Sequence, residues 1–317
     1  MVVLMSFKKS DSTFCTNVKA KLEKIAQSTI YNLLLVLIVS WAVVSMMNII
    51  VANQIIHRIR NESLDYELFR EMKISSKLIE DVLSEDDNPY NKSNYYDSYD
   101  MLTLYSLVYN YDTLNFKKIN KRNSDLILRS LVYDETFREL KKYYQSTFKD
   151  IETFPVLQTS DEEANVTFTD TWYAPRSYGG DRRHEGTDIL DKDNARGRLK
   201  IVSMTDGVVE KKGWLEMGGY RIGIRSESGT YFYYAHLDSY NDDIKVGDRM
   251  SAGDFLGYMG DSGYGPEGTK GEFDVHLHLG IYIDSKIGEI AVNPYYILDY
   301  LQNKALSQVT GQNIEIR

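Results

Sequence analysis

One cysteine, five prolines and five histidines are spread over 317 residues, and glycine is missing from the first 178. The lone Cys15 excludes an intrachain disulfide framework and a thiolate zinc site. Any metal held within one copy of the chain must therefore use His and carboxylate ligands. Excess positive charge is also missing. A formal net charge of -9 argues against a nucleic-acid partner, since neutralising phosphates needs clustered Lys and Arg. All 21 glycines lie at Gly179 or later. A helical region can dispense with glycine, whereas tight turns between short strands draw on its left-handed conformations. The chain thus reads as a helical half followed by an all-β half.

What is present begins with an apolar run. Ile30 to Ala52 contains no charged residue, and a spanning helix needs roughly 20 such positions. A cleaved signal peptide would have an apolar region of roughly 7–15 residues followed by small residues at the cut. This run is longer and has no such site, so it is expected to be a single transmembrane helix over 29–56. Lys8, Lys9, Lys19, Lys21 and Lys24 precede it, and Arg58 and Arg60 follow. That bias points to a cytoplasmic tail over 1–28, with the bulk of the chain extracellular in a single-pass topology. Those five lysines outnumber Asp11 and Glu23, so the extracellular part carries about -12 of the charge. His57 then lies at the membrane interface as a surface residue, not a ligand.

Residues 57–157 read as an extracellular helical spacer. Leu64, Leu68, Met72, Ser75, Ile79 and Leu83 recur every three or four positions and predict one helix near 60–84. A polar stretch over 86–99 reads as a loop, and a second helix is expected near 100–110. A third is expected over 124–147, with Ser124 as N-cap. No heptad is sustained, so a spacer packed on itself is expected in place of a dimerising coiled coil. A homodimer or another protein partner through this region stays open. From residue 158 onward, strands are expected at 200–209, 220–225 and 230–235. Asp206-Gly207, Gly218-Gly219 and Ser228-Gly229 are the turns that break them. Short strands at this spacing predict an antiparallel sandwich or barrel over 158–317.

Four of the five histidines fall in three short motifs of that β half: His184-Glu185-Gly186-Thr187-Asp188, Tyr234-Ala235-His236-Leu237 and His276-Leu277-His278. On a strand, His276 and His278 point to the same face, roughly 7 Å apart. One can bind a metal while the other reaches over a bound water. The HExxD string is like the zincin helix, where Glu185 would be the base. Gly179, Gly180 and Gly186 argue against a helix, and a loop can bring His184 and Asp188 to one metal instead. Together, His184, Asp188 and His278 offer two nitrogens and a carboxylate. Three protein ligands plus water is the catalytic zinc pattern. His236 and His276 remain, either to act as base or to stabilise an oxyanion, although His236 could also simply pack at a strand end.

These motifs resemble the M23 zinc metallopeptidases, the lysostaphin or LytM family. The likeness continues through Asp206-Gly207-Val208-Val209, Val246-Gly247-Asp248, Gly253-Asp254-Phe255-Leu256-Gly257 and Gly260-Asp261-Ser262-Gly263. It covers about 175–300. The resemblance implies a Zn2+ ion held by His184, Asp188 and His278, with His236 and His276 as catalytic histidines. It implies an antiparallel LytM-like fold and hydrolysis of peptide bonds in peptidoglycan stems or crosslinks. Some members act only as scaffolds, which leaves the alternative of an interaction protein of a sporulation channel or cell-division complex. Two departures bear on substrate choice. Gly271-Glu272-Phe273-Asp274-Val275 precedes the HxH pair where the family usually has Thr-Gly. Gly219-Tyr220-Arg221 stands where many members have Gly-Asn.

Overall fold

The computed structural model of the protein describes residues 4–84, 96–157 and 165–310. The loop expected over 86–99 and the start of the β half at 158 fall largely outside the described residues. The chain divides into two compact units, Met1–His57 and Arg58–Arg317. The first is a stretch of helix α1 (Leu4–Asn61). Its apolar window is wholly exposed, unlike a core helix, and it is the one described helix long and apolar enough to cross a membrane.

The second unit begins with short helices. The single helix expected over 60–84 is instead two, α2 (Tyr66–Arg70) and α3 (Ser76–Leu83). Asp65 and Ser75 each cap a new N-terminus by accepting a backbone N–H three residues on. Met72 between them takes a left-handed φ of 49°. The second helix is present as α4 (Ser98–Val108). The third is also split, into α5 (Lys121–Leu131) and α6 (Glu135–Phe148). Asn120 caps α5 in place of Ser124, whose hydroxyl bonds back to Lys121 within the helix. Asp134 caps α6 and ends the continuous helix that the apolar spacing alone predicts. The periodicity reports which face is buried. It does not report where a capping side chain outcompetes the next helical hydrogen bond. The faces meet in an aromatic core: Phe69 lies edge-on to Tyr144 at 5.4 Å and Tyr105 to Phe116 at 4.7 Å.

The β half is antiparallel throughout, as expected. In chain order its strands are β1 (Val166–Thr167), β2 (Pro175–Arg176), β3 (Arg182–Arg183), β4 (Thr187–Asp191), β5 (Lys200–Val202) and β6 (Gly207–Leu215). β7 (Gly219–Arg225), β8 (Tyr231–Tyr240), β9 (Arg249–Met250), β10 (Phe255–Met259), β11 (His276–Ser285) and β12 (Gly288–Val292) follow, and helix α7 (Tyr295–Thr310) closes the described chain. The main sheet runs β1-β4-β11-β8-β7-β6-β9. β10 pairs with β5 and β8, β12 pairs with β11, and β2 and β3 form a separate ribbon. The strand expected over 200–209 is two, β5 and β6, separated by residues 203–206. One sheet face is apolar: Ile222, Ile224, Phe232, Tyr234, Leu277, Leu279 and Ile281 are buried. Period two therefore turns His276, His278 and Tyr282 to the opposite face.

The helices lie on this β half without forming a separate body. The Lys286 N–H donates to the Tyr143 hydroxyl, and the Ser228 and Thr230 hydroxyls donate to the Ser146 carbonyl at the end of α6. The Ser228 N–H donates to the Asp150 carboxylate at 2.7 Å.

Candidate metal centre

β4 and β11 are register-paired so that His278 lies opposite Asp188. His184 enters from the end of β3, and no helix is involved. Three donor atoms converge. His184 Nε2 is 3.1 Å from both Asp188 Oδ1 and His278 Nδ1, and His278 Nδ1 is 2.8 Å from Asp188 Oδ1. A tetrahedral ion with bonds of about 2.0–2.1 Å needs donors roughly 3.3 Å apart, so two imidazoles and a carboxylate at this spacing fit zinc. His184 is buried, and its Nδ1–H faces the Thr171 carbonyl at 3.1 Å. That bond leaves Nε2 as the lone-pair nitrogen turned toward the cluster. Asp188 Oδ2 accepts from Arg176 at 2.5 Å. Burial pushes the Asp188 carboxyl up, but its close contacts with the His184 and His278 rings outweigh it and hold the group far below its ordinary value. Burial likewise pushes His278 down despite the attraction of Asp188. Gly186 has a packing reason: a Cβ there would sit 2.6 Å from the His278 ring.

His236 reaches the site by a break in its strand. Phe232 and Tyr234 belong to the buried face, so simple alternation would send His236 inward as well and Leu237 outward. Register shifts in the ladders to β7 and β10 bracket it, and its φ is 62°. The bulge turns the ring to the open face. There its Nδ1–H donates to the Ser262 carbonyl at 2.7 Å, and its centroid lies 4.7 Å from that of His276. Burial, reinforced by repulsion from His276 and His278, pushes its imidazole well below the ordinary value. His236 is thus a neutral ring with a free Nε2. The His276 Nδ1–H is committed in the same way to the Asp274 carbonyl at 2.7 Å, with Nε2 3.7 Å from Asp188.

A family profile described as peptidase family M23 matches residues 182–294, the span that holds all five of these side chains. A solved structure from Ruminococcus gnavus, named a glycyl-glycine endopeptidase LytM, is 39% identical with a TM-score of 0.64. The similarity covers 78% of this chain and 96% of that one. The chain belongs to peptidase family M23. It is 42% identical over 159 residues to the L-Ala–D-Glu endopeptidase of Bacillus subtilis (strain 168), covering 50% of this chain and 46% of that protein. It is 38% identical over 96 residues to the glycyl-glycine endopeptidase ALE-1 of Staphylococcus capitis, covering 30% of this chain and 24% of that one. The chain spans less than half the length of these two curated relatives.

The M23 domain surrounds the cluster with a groove of about 730 Å³. One wall carries Tyr231, Tyr233 and Tyr282, the other Tyr264 and Phe273, with Arg176, Arg182, Arg183, Lys211 and Arg221 along it. Glu185, the base under the zincin reading, is instead ion-paired to Arg70 of α2. Arg70 also stacks near Trp172 at 5.5 Å and donates to the Ala291 carbonyl at 2.9 Å. Thr171, Arg176 and Arg70 belong to no motif. Each acts across a fold contact, and nothing in its sequence neighbourhood marked it.

Proposed function

We propose that this chain is a membrane-anchored zinc endopeptidase that hydrolyses peptide bonds of bacterial peptidoglycan stems or crosslinks. Residues 1–28 form a cytoplasmic tail, 29–56 the anchor, 57–157 an extracellular helical spacer and 158–317 the peptidase domain. The observation that carries this reading is the convergence of His184, Asp188 and His278 beside two histidines whose Nε2 atoms are free. His184, Asp188 and His278 would hold the ion. When bound, zinc supplies a Lewis acid that eases deprotonation of water and polarises a carbonyl. His236 is fixed in one tautomer by Ser262 and accepts a proton at Nε2. The proton that His236 takes up at Nε2 passes from there to the departing amine, and His276, partly exposed at the same mouth, stabilises the oxyanion from Nε2 when that nitrogen is protonated. Arg176 fixes the carboxylate of Asp188, and Thr171 the ring of His184.

The relatives' names offer two kinds of bond. One lies next to a D-glutamyl residue, which keeps a free carboxylate. The other lies between uncharged glycines. No feature of the groove favours the scaffold alternative. Full-length protein incubated with purified sacculi should release new amino termini, lose activity on chelation and regain it with Zn2+. His278→Ala should lose both bound zinc and activity. A His278→Ala protein with full activity would sink the assignment, and a cell phenotype that survives His276→Ala but not deletion would restore the scaffold.

A further inference from the structure

Three carboxylates line the groove, and each already has a cationic partner: Glu185 with Arg70, Asp188 with Arg176 and Glu289 with Arg225. Arg221 is different. Its Nη1 is buried without a hydrogen-bond partner, and among the described residues no carboxylate lies within ion-pair distance of it. A buried unpaired guanidinium donor is costly, because its desolvation is not repaid. Arg221 alternates with the core residues Ile222 and Ile224 and so shares the open face of the sheet with Tyr231 and Tyr233. It is one of the residues that depart from the family's usual Gly-Asn.

Position tells what it serves. Ile222 pairs with Tyr234 and Tyr220 with Leu237, so Arg221 on β7 lies beside the Ala235–His236 bulge. Ala235 pairs with His278, and His278 with Asp188. Arg221 and the metal cluster therefore fall on one line across β7, β8, β11 and β4. Two strand spacings separate β7 from β11, roughly 10 Å, and an extended peptide advances roughly 3.3–3.6 Å per residue. With the reach of the arginine side chain, this spacing is that of a residue flanking a bond held at the cluster.

We infer that Arg221 is a specificity-determining residue. It binds a free carboxylate on the substrate residue next to the cleaved bond, so that the enzyme selects an acidic peptide over an uncharged glycine bridge. This rests on the peptidase reading of the same groove. The carboxylate is attracted by the positive excess of Arg182, Arg183 and Lys211 to the Arg221 side chain that lines the groove. Its planar geometry suits the guanidinium fork.

The test uses zinc-supplemented full-length protein in detergent and two synthetic peptides. Both contain L-Ala–D-Glu, one with the glutamyl carboxylate free and the other with it amidated; pentaglycine is the uncharged control. Affinity is measured by competition and hydrolysis by mass spectrometry. Wild type should prefer the free acid over the amide by about tenfold to a hundredfold, the range of a charge-assisted hydrogen bond. Arg221→Gln should remove that preference by weakening the free acid to the level of the amide, and Arg221→Lys should keep a reduced preference of the same sign. Equal handling of acid and amide by wild type overturns the inference, whether or not any variant folds. An equal loss on both peptides in Arg221→Gln overturns it too. If neither peptide is cut, the peptidase reading fails on its own. The affinities still decide: an acid preference that needs Arg221 supports the inference, and no preference ends it.

Discussion

Residues 58–157 turn repeatedly without one glycine, whereas twenty of the 21 glycines fall in the described β half, Gly311 lying beyond it. Both regions need left-handed backbone. The helical region places Met72, Asn110 and Tyr111 there at φ of 49°, 52° and 65°. The β half uses Gly179, Gly219, Gly263 and others. Crowding accounts for only part of the difference. In the helical region the Met72 and Tyr111 side chains are buried and that of Asn110 is exposed, and each position bears only the modest left-handed penalty. Turns around the groove bring backbone against backbone. At Gly219 a Cβ would lie 2.1 Å from the Ser262 carbonyl oxygen. At Gly180, Gly213, Gly229, Gly247, Gly253, Gly268 and Gly288 a Cβ would meet nothing within 4 Å and the left-handed φ alone favours glycine, whereas at Gly219 and Gly263, beside the site, close approach adds to it.

The comparison breaks most directly at the two cores. Phe148→Ala in the helices and Phe232→Ala in the sheet, both fully buried, should each cost about 3–5 kcal/mol. Residues 58–310 pack as one unit, so both variants should lower a single thermal transition. Two separable transitions in calorimetry would show the halves to be independent. Gly219→Ala should cost roughly 2–5 kcal/mol from the left-handed penalty and overpacking together. It should also disturb His236, which Ser262 holds, and chemical denaturation alongside an activity assay would show both effects.

Smaller effects probe the contacts between the halves. Arg70→Ala should destabilise by about 1–3 kcal/mol through lost packing and hydrogen bonds, and it should weaken zinc retention by freeing the loop that carries His184. Unchanged zinc content would confine Arg70 to stability. Burial raises the Asp150 carboxyl, but hydrogen bonds from Ser228 and Ser226 outweigh it and leave the group below its ordinary value. A depressed folded value means stability that is present above the unfolded value of about 3.9 and lost as pH falls through the folded one. Wild type should therefore exceed Asp150→Asn by about 1 kcal/mol near neutrality, with the gap closing below about pH 4. An unchanging gap across urea titrations would remove the charge from the account. Smallest of all, Asn110→Gly on the exposed turn should shift stability by less than about 0.5 kcal/mol, relief of strain offsetting the added unfolded-state freedom.

Much of this was legible in the chain. Apolar spacing located the helical faces, turn dipeptides located the strand ends, and the His and Asp side chains near the cluster were nameable from three motifs. Helix ends were misread where Asp65, Asn120 and Asp134 cap new helices, because a cap is a competition between side chain and backbone that periodicity does not record. The partners Thr171, Arg176 and Arg70 were invisible because each meets the site only after distant segments pack.

By itself the sequence determined the chemistry available: nitrogen and carboxylate donors, no thiolate cluster, an apolar run long enough to span a membrane, and a period-two pattern that turns His276 and His278 to one face. Tertiary structure alone decided that His236 joins them. Alternation assigns it to the core with Phe232 and Tyr234. Only the bulge, created where β8 must satisfy β7, β10 and β11 at once, rotates it to the open face. The same bulge sets it beside Arg221, because strand register is a property of neighbouring strands and not of any one of them.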